Sequence, residues 1–161
     1  MITNQEFFTI ELASTTILGI PLDEMSTVDQ FERVNICTVP GVADFWHGVA
    51  NFKGSLLWIL DSNRFFDLKL QSSRPTPKLT AVVVKNQQIG EQKVAIVAEH
   101  LRGIVSLETS SFQPVSDQAS TQISQCCSSV AYMEGSPTAI YILDFAALLR
   151  TLHQRSTLVS T

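Results

Sequence analysis

At 161 residues the chain is the size of one domain, long enough to bury a substantial core. Hydrophobic residues make up 45% and charged residues only 16%, which excludes a disordered tail. The net charge of −4 argues against nucleic acid as the main partner, because phosphate binding calls for a basic face. The longest apolar runs, such as Leu56–Leu60 and Leu79–Val84, fall far short of the ~20 residues a bilayer-spanning helix needs. Met1–Glu6 has neither a basic region nor an apolar signal core, so a cytoplasmic protein without membrane insertion is expected. Cys37 stands alone and Cys126 and Cys127 are adjacent, a poor geometry for a disulfide; all three read as reduced thiols.

Strand-like segments dominate the chain. Phe7–Leu12 and Thr16–Ile20 come first, separated by a short Ala13-Ser14-Thr15 turn. Asp23–Phe31 follows, a charged stretch carrying Met25, Val28 and Phe31 at i, i+3, i+6, either as a stripe packed on the core or as part of a groove for a partner helix. Gly48–Phe52 and Ser55–Leu60 flank Lys53-Gly54, the spacing of a tight hairpin. A short helical turn is expected at Ser62–Phe66, then a proline-containing connector at 71–78. Thr80–Lys85 and Lys93–Ala98 enclose a polar loop at 86–92, and Leu101–Leu107 is the next strand. Glu108–Ser128, rich in Ser, Thr and Gln and broken by Pro114, reads either as an excursion over the surface or as a partly mobile stretch. Ser129–Met133, Thr138–Leu143 and a helix over Asp144–His153 complete the set. Many short strands with little helix between them predict a mainly β barrel or sandwich.

An internal repeat organises these elements. Val49-Ala50-Asn51-Phe52-Lys53-Gly54-Ser55 recurs as Val130-Ala131-Tyr132-Met133-Glu134-Gly135-Ser136, and Ile59-Leu60-Asp61 recurs as Ile142-Leu143-Asp144. Leu18-Gly19-Ile20 with Asp23 echoes Val94-Ala95-Ile96 with Glu99. Two related β units joined at 71–78 would each be too small for a generous core, so a shared one is expected.

Catalytic constellations are hard to find. His47, His100 and His153 form no H-x-x-x-H or C-x-x-C metal pair, and no P-loop, G-x-S-x-G or G-x-G-x-x-G is present. Asp61-Ser62-Asn63 opens like a calcium loop but lacks its glycine and closing glutamate. Glu99-His100 would point to opposite faces of a strand, and Cys126 or Cys127 could act as a nucleophile only with a distant His. No catalytic residue, cofactor or metal is assigned.

The stretch Val39-Pro40-Gly41-Val42-Ala43-Asp44-Phe45-Trp46-His47-Gly48-Val49-Ala50-Asn51-Phe52-Lys53-Gly54, followed by Ile59-Leu60-Asp61, resembles the signature of CheW-like chemotaxis adaptor domains. Phe7–Leu12, Gly19-Ile20 and Phe112-Gln113-Pro114 extend the resemblance over about residues 5–152. Lys53 stands where the family usually has Arg, and Asp44 where it has Pro. The resemblance implies a mainly β fold of two SH3-like five-stranded β-barrels around a shared core, with a C-terminal helix. Residues 5–70 would form the first barrel, 71–78 the connector, and 79–152 the second barrel with the helix, all within one CheW-like domain over 1–161. It also implies a non-enzymatic scaffold joining the helical tip of a methyl-accepting receptor-type transducer to the regulatory domain of a CheA-type histidine kinase at membrane-associated arrays. Pilus-based twitching and light-directed movement are pathways such a divergent adaptor would suit. The alternatives are a standalone CheW-like protein that caps or competes with arrays without coupling and, more remotely, a small enzyme. Carried over by position, Met25, Val28 and Leu101 would line the receptor groove, while Gly48, Asn51 and Lys53 would lie in a receptor-sensitive hairpin. No residue is assigned to the kinase contact.

Overall fold

Where apolar residues alternate with polar ones a strand buries one face, and where they run on it buries both. Both kinds occur in the computed structural model, which describes residues 3–69, 75–85, 92–116 and 119–159. In chain order the elements are β1 (Asn4–Glu11), β2 (Ile17–Pro21), β3 (Met25–Glu32), β4 (Trp46–Phe52), β5 (Ser55–Leu60), α1 (Ser62–Phe65), β6 (Lys78–Lys85) and β7 (Lys93–Ala98). They continue with β8 (His100–Glu108), α2 (Thr121–Cys126), β9 (Cys127–Tyr132), β10 (Ala139–Leu143) and α3 (Phe145–Val159). Part of the expected connector, 71–74, and most of the polar loop, 86–91, lie outside the described residues.

Sheet I has the order β8-β1-β2-β10-β9 and sheet II the order β3-β6-β7-β5-β4. Neighbours are antiparallel except β2 with β10 and β5 with β7, which are parallel. Each sheet curls around an apolar interior, Phe7, Ile17, Leu107, Ala131, Ile140 and Ile142 in sheet I and Phe31, Phe52, Leu57, Ile59 and Val83 among others in sheet II. Phe31 on β3 and Phe52 on β4, from opposite edges of sheet II, bring their ring centroids within 6.5 Å. A third core lies between the barrels, built from Ile10, Leu18 and Ile20 on one side and Val82, Val84 and Ile96 on the other, with α3 packed into it through Phe145, Leu148 and Leu152. Successive residues of β6 therefore serve different cores, which explains its unbroken apolar run.

The repeat is real in space but the barrels do not follow it. Each unit contributes a hairpin (β1–β2, β6–β7), then a strand, an isolated bridge, a second hairpin (β4–β5, β9–β10) and a helix. The bridges Cys37–Val49 and Gln113–Val130 are equivalent, and so are the turn glycines Gly54 (φ +82°) and Gly135 (φ +78°). The first hairpins are exchanged: β1–β2 completes the barrel of β8, β9 and β10, and β6–β7 completes that of β3, β4 and β5. The expected partition into a first barrel at 5–70 and a second at 79–152 is thus corrected. Parallel pairing of β10 with β2 and of β5 with β7 draws each barrel from both halves of the chain.

Two local readings also change. Asp23–Phe31 is a 3-10 turn (Leu22–Glu24) leading into β3, and its apolar residues do not share one face. A bulge between Met25 and Thr27 shifts the alternation, so Met25 and Val28 pack on the shared core while Phe31 enters the sheet II interior. The Ser/Thr/Gln-rich excursion contains α2, whose N-cap Ser120 accepts from the Ile123 N–H at 3.1 Å and which buries Ile123 and Cys126.

Candidate partner-binding surface

β3 is a free edge of sheet II and β8 a free edge of sheet I, and both flank the shared core. On β3, Met25 and Val28 are half-buried against that core. On β8, Ile104 stands opposite Phe8 and Leu101 opposite Ile10, both of which pack on the same core. Leu101 and Ile104 thus lie on the shared-core side of the sheet, yet they are 44% and 58% exposed. Three of the six expected residues, Met25, Val28 and Leu101, border one core in this way. Sequence reading missed Ile104 and Phe8. The bulge in β8 puts Leu101 and Ile104, three apart, on one face, and the signal for it was Gly103, whose φ is +93°.

The other three residues lie on the β4–β5 hairpin, at the opposite edge of sheet II. Gly48 is buried, with φ +140°, and a Cβ there would come within 2.2 Å of the Cys37 carbonyl oxygen. Asn51 is exposed, and its Oδ1 accepts the Gly54 N–H at 3.0 Å, bracing the turn. Lys53 is exposed, with its Nζ 5.2 Å from the Phe52 ring centroid. Both central turn residues have positive φ, +52° at Lys53 and +82° at Gly54, the type I′ geometry that suits right-twisted strands. Asn tolerates that region far better than Lys. Lys53→Asn should therefore raise stability by about 0.5 kcal/mol in urea unfolding, the lost Phe52 contact offsetting part of the gain. Between the β3 and β4 edges, Asn51 also lines a polar cleft of about 590 Å³ with Asp29, Gln30, Glu32 and Lys78.

Groups that looked chemically suggestive are engaged in structure. Burial pushes the Cys126 thiol up to about 11 and the Cys127 thiol still further, so neither is a thiolate near neutral pH. The His47 Nε2 lies 3.9 Å from the Asp61 carboxylate, but burial, with Arg33 and Arg64, holds its pKa below the usual histidine range. Asp61 caps α1 by accepting the Arg64 N–H at 3.2 Å, which accounts for its calcium-loop look. Glu99 and His100 do diverge: the Glu99 carboxylate accepts from Asn63 at 2.8 Å, while His100 lies 3.8 Å from Glu11. Among the described residues no His, Cys, Asp and Glu are grouped to hold a metal ion, and no helix is long and apolar enough to cross a membrane.

No curated protein matches the chain. Among solved structures it is similar to the scaffolding protein TtCheW from Thermoanaerobacter tengcongensis, at 14% identity and a TM-score of 0.71, over 88% of this chain and 90% of that one. The CheW-like domain matches residues 6–153. With two exchanged five-stranded barrels, a shared core and that match over nearly its whole length, the chain belongs to the CheW-like domain family.

Proposed function

We propose that this protein is a non-enzymatic adaptor coupling methyl-accepting receptor-type transducers to a CheA-type histidine kinase in a chemotaxis-like pathway. The observation that carries the reading is the apolar strip where the shared core reaches the free edges of β3 and β8. Leu101 and Ile104 are exposed on one edge, while Met25 and Val28 are half-buried on the other. A strip of this kind suits the apolar face of a helical hairpin, the form of a receptor tip. Membership of the CheW-like family and the likeness to a scaffolding protein support the same role. The Lys53 ammonium, solvated at the hairpin tip, would tune the orientation and rate of association rather than add much affinity. The protein would act in the cytoplasm, recruited to receptor arrays.

Leu101→Asp and Ile104→Asp test the strip more cleanly than a change at Met25, which packs on the core and follows Glu24 directly. Each should cost about 1 kcal/mol or less in stability, because neither side chain is buried. Each should weaken binding of a receptor-tip hairpin at least about tenfold, since the new carboxylate must be desolvated under the docked helix. Isothermal titration with the isolated hairpin reads this directly. Unchanged affinity in both variants would remove the strip from the receptor contact.

A further inference from the structure

We propose that the junction between the two barrels is a proton-operated latch, in which Glu24 must be protonated for β3 and the start of α3 to dock closely. Glu24 ends the 3-10 turn that carries the chain from β2 in sheet I to β3 in sheet II. Its Oε2 is sealed from solvent and has no hydrogen-bond partner among the described residues. A bare carboxylate oxygen in that position costs far more than a protonated, neutral carboxyl does.

The other crossing between the sheets, from β7 to β8, shows the contrast: there the Glu99 carboxylate accepts the Asn63 side-chain amide at 2.8 Å, whereas the Glu24 Oε2 has no such donor among the described residues.

The surrounding charges act in the same sense. Asp23, beside Glu24 in its own turn, repels the ionised form. So does Asp144, whose Oδ1 accepts the Ala147 N–H at 3.2 Å as the cap of α3. The Phe145 N–H favours the charged form but is outweighed. β1 packs on the same turn, and the charges that act most on Glu24 among the described residues are those of Asp23 and Asp144. Burial first, then Asp23 and Asp144, raise the carboxyl from 4.5 to about 7. Protonation therefore stabilises the closed junction fully below about pH 4.5, and that contribution is lost as the pH rises through about 7. Opening releases a proton between these limits, so a rise from pH 6 to pH 8 multiplies the opening equilibrium about tenfold.

Two measurements on the intact protein test the latch. The first is a titration of the glutamate 13Cδ resonances, assigned with Glu24→Gln. The proposal expects Glu24 to titrate between pH 6 and 8. The second is hydrogen exchange of the β3 and first-turn α3 amides, corrected for intrinsic rates. Protection there should fall about tenfold from pH 6 to pH 8 in the wild type and stay flat in Glu24→Gln. Titration of Glu24 in the ordinary carboxylate range, or the same loss of protection in Glu24→Gln, would overturn the proposal.

Discussion

Gly48→Ala should lower the melting temperature by about 10 °C, the response of a chain this size to a loss of roughly 3–4 kcal/mol. The added Cβ would sit 2.2 Å from the Cys37 oxygen, 2.7 Å from its carbonyl carbon and 3.1 Å from the Thr38 Cα. All three are backbone atoms, so no side chain can swing aside. Relief requires separating Cys37 from Val49, which exchange N–H to carbonyl hydrogen bonds of 2.8 and 2.9 Å. Losing that pair costs about 1 kcal/mol per bond, and a non-glycine residue at φ +140° adds strain of about 1–2 kcal/mol. Gly54→Ala is the control. Its φ is +82° but nothing lies within 4 Å of the new Cβ, so only the strain should appear. Thermal melts of the two variants separate close approach from backbone conformation. They also bear on the hairpin: Gly48 is buried, so a substitution there would reach a partner only by displacing β4.

The second large effect is expected at Arg155, on α3. Its guanidinium lies 4.8 Å from the Phe45 ring centroid and 4.5 Å from that of Phe65, and its Nη1 donates to the Phe65 carbonyl at 2.8 Å. Phe45 precedes β4 and Phe65 ends α1, so one side chain ties the last helix to two elements of the first half. Arg155→Ala should cost about 3 kcal/mol, from a charge-assisted hydrogen bond and two ring contacts. Arg155→Lys should recover less than half, because an ammonium lacks the flat face that lies against both rings. Urea unfolding of the pair checks this. Equal stability of Lys and Arg at this position would mean that charge alone holds the helix.

Features fixed by local chemistry were legible in the sequence. The β4–β5 hairpin was legible because Lys53-Gly54 between apolar runs leaves few other conformations, and its recurrence at Val130–Ser136 exposed the repeat. The exchange of hairpins was not. Alternation tells which face of a strand is buried, but it does not tell which strand lies alongside, and the parallel partners β2 and β10 are far apart in the chain. β3 was hidden for another reason: its bulge breaks the alternation, and Asp29, Gln30 and Glu32 give an edge strand the composition of a surface stretch. α2 is six residues long with weak helical composition, and only Ser120 marks its start. In the candidate site, Met25 and Val28 stood out as apolar residues spaced through a charged stretch, and the family resemblance added Leu101. Ile104 needed the register of β8 against β1, and the orphaned Glu24 needed three-dimensional contacts that no spacing reveals.

The adaptor role is tested most directly by reconstituting the protein with a CheA-type kinase and receptor-bearing membranes, and measuring autophosphorylation with receptors in methylated and unmethylated form. Kinase activity should follow receptor state with the wild-type protein. With Ile104→Asp the kinase should still be bound but should no longer respond. Activity independent of receptor state with the wild type, or full coupling by Ile104→Asp, would contradict a coupling function built on the strip between β3 and β8.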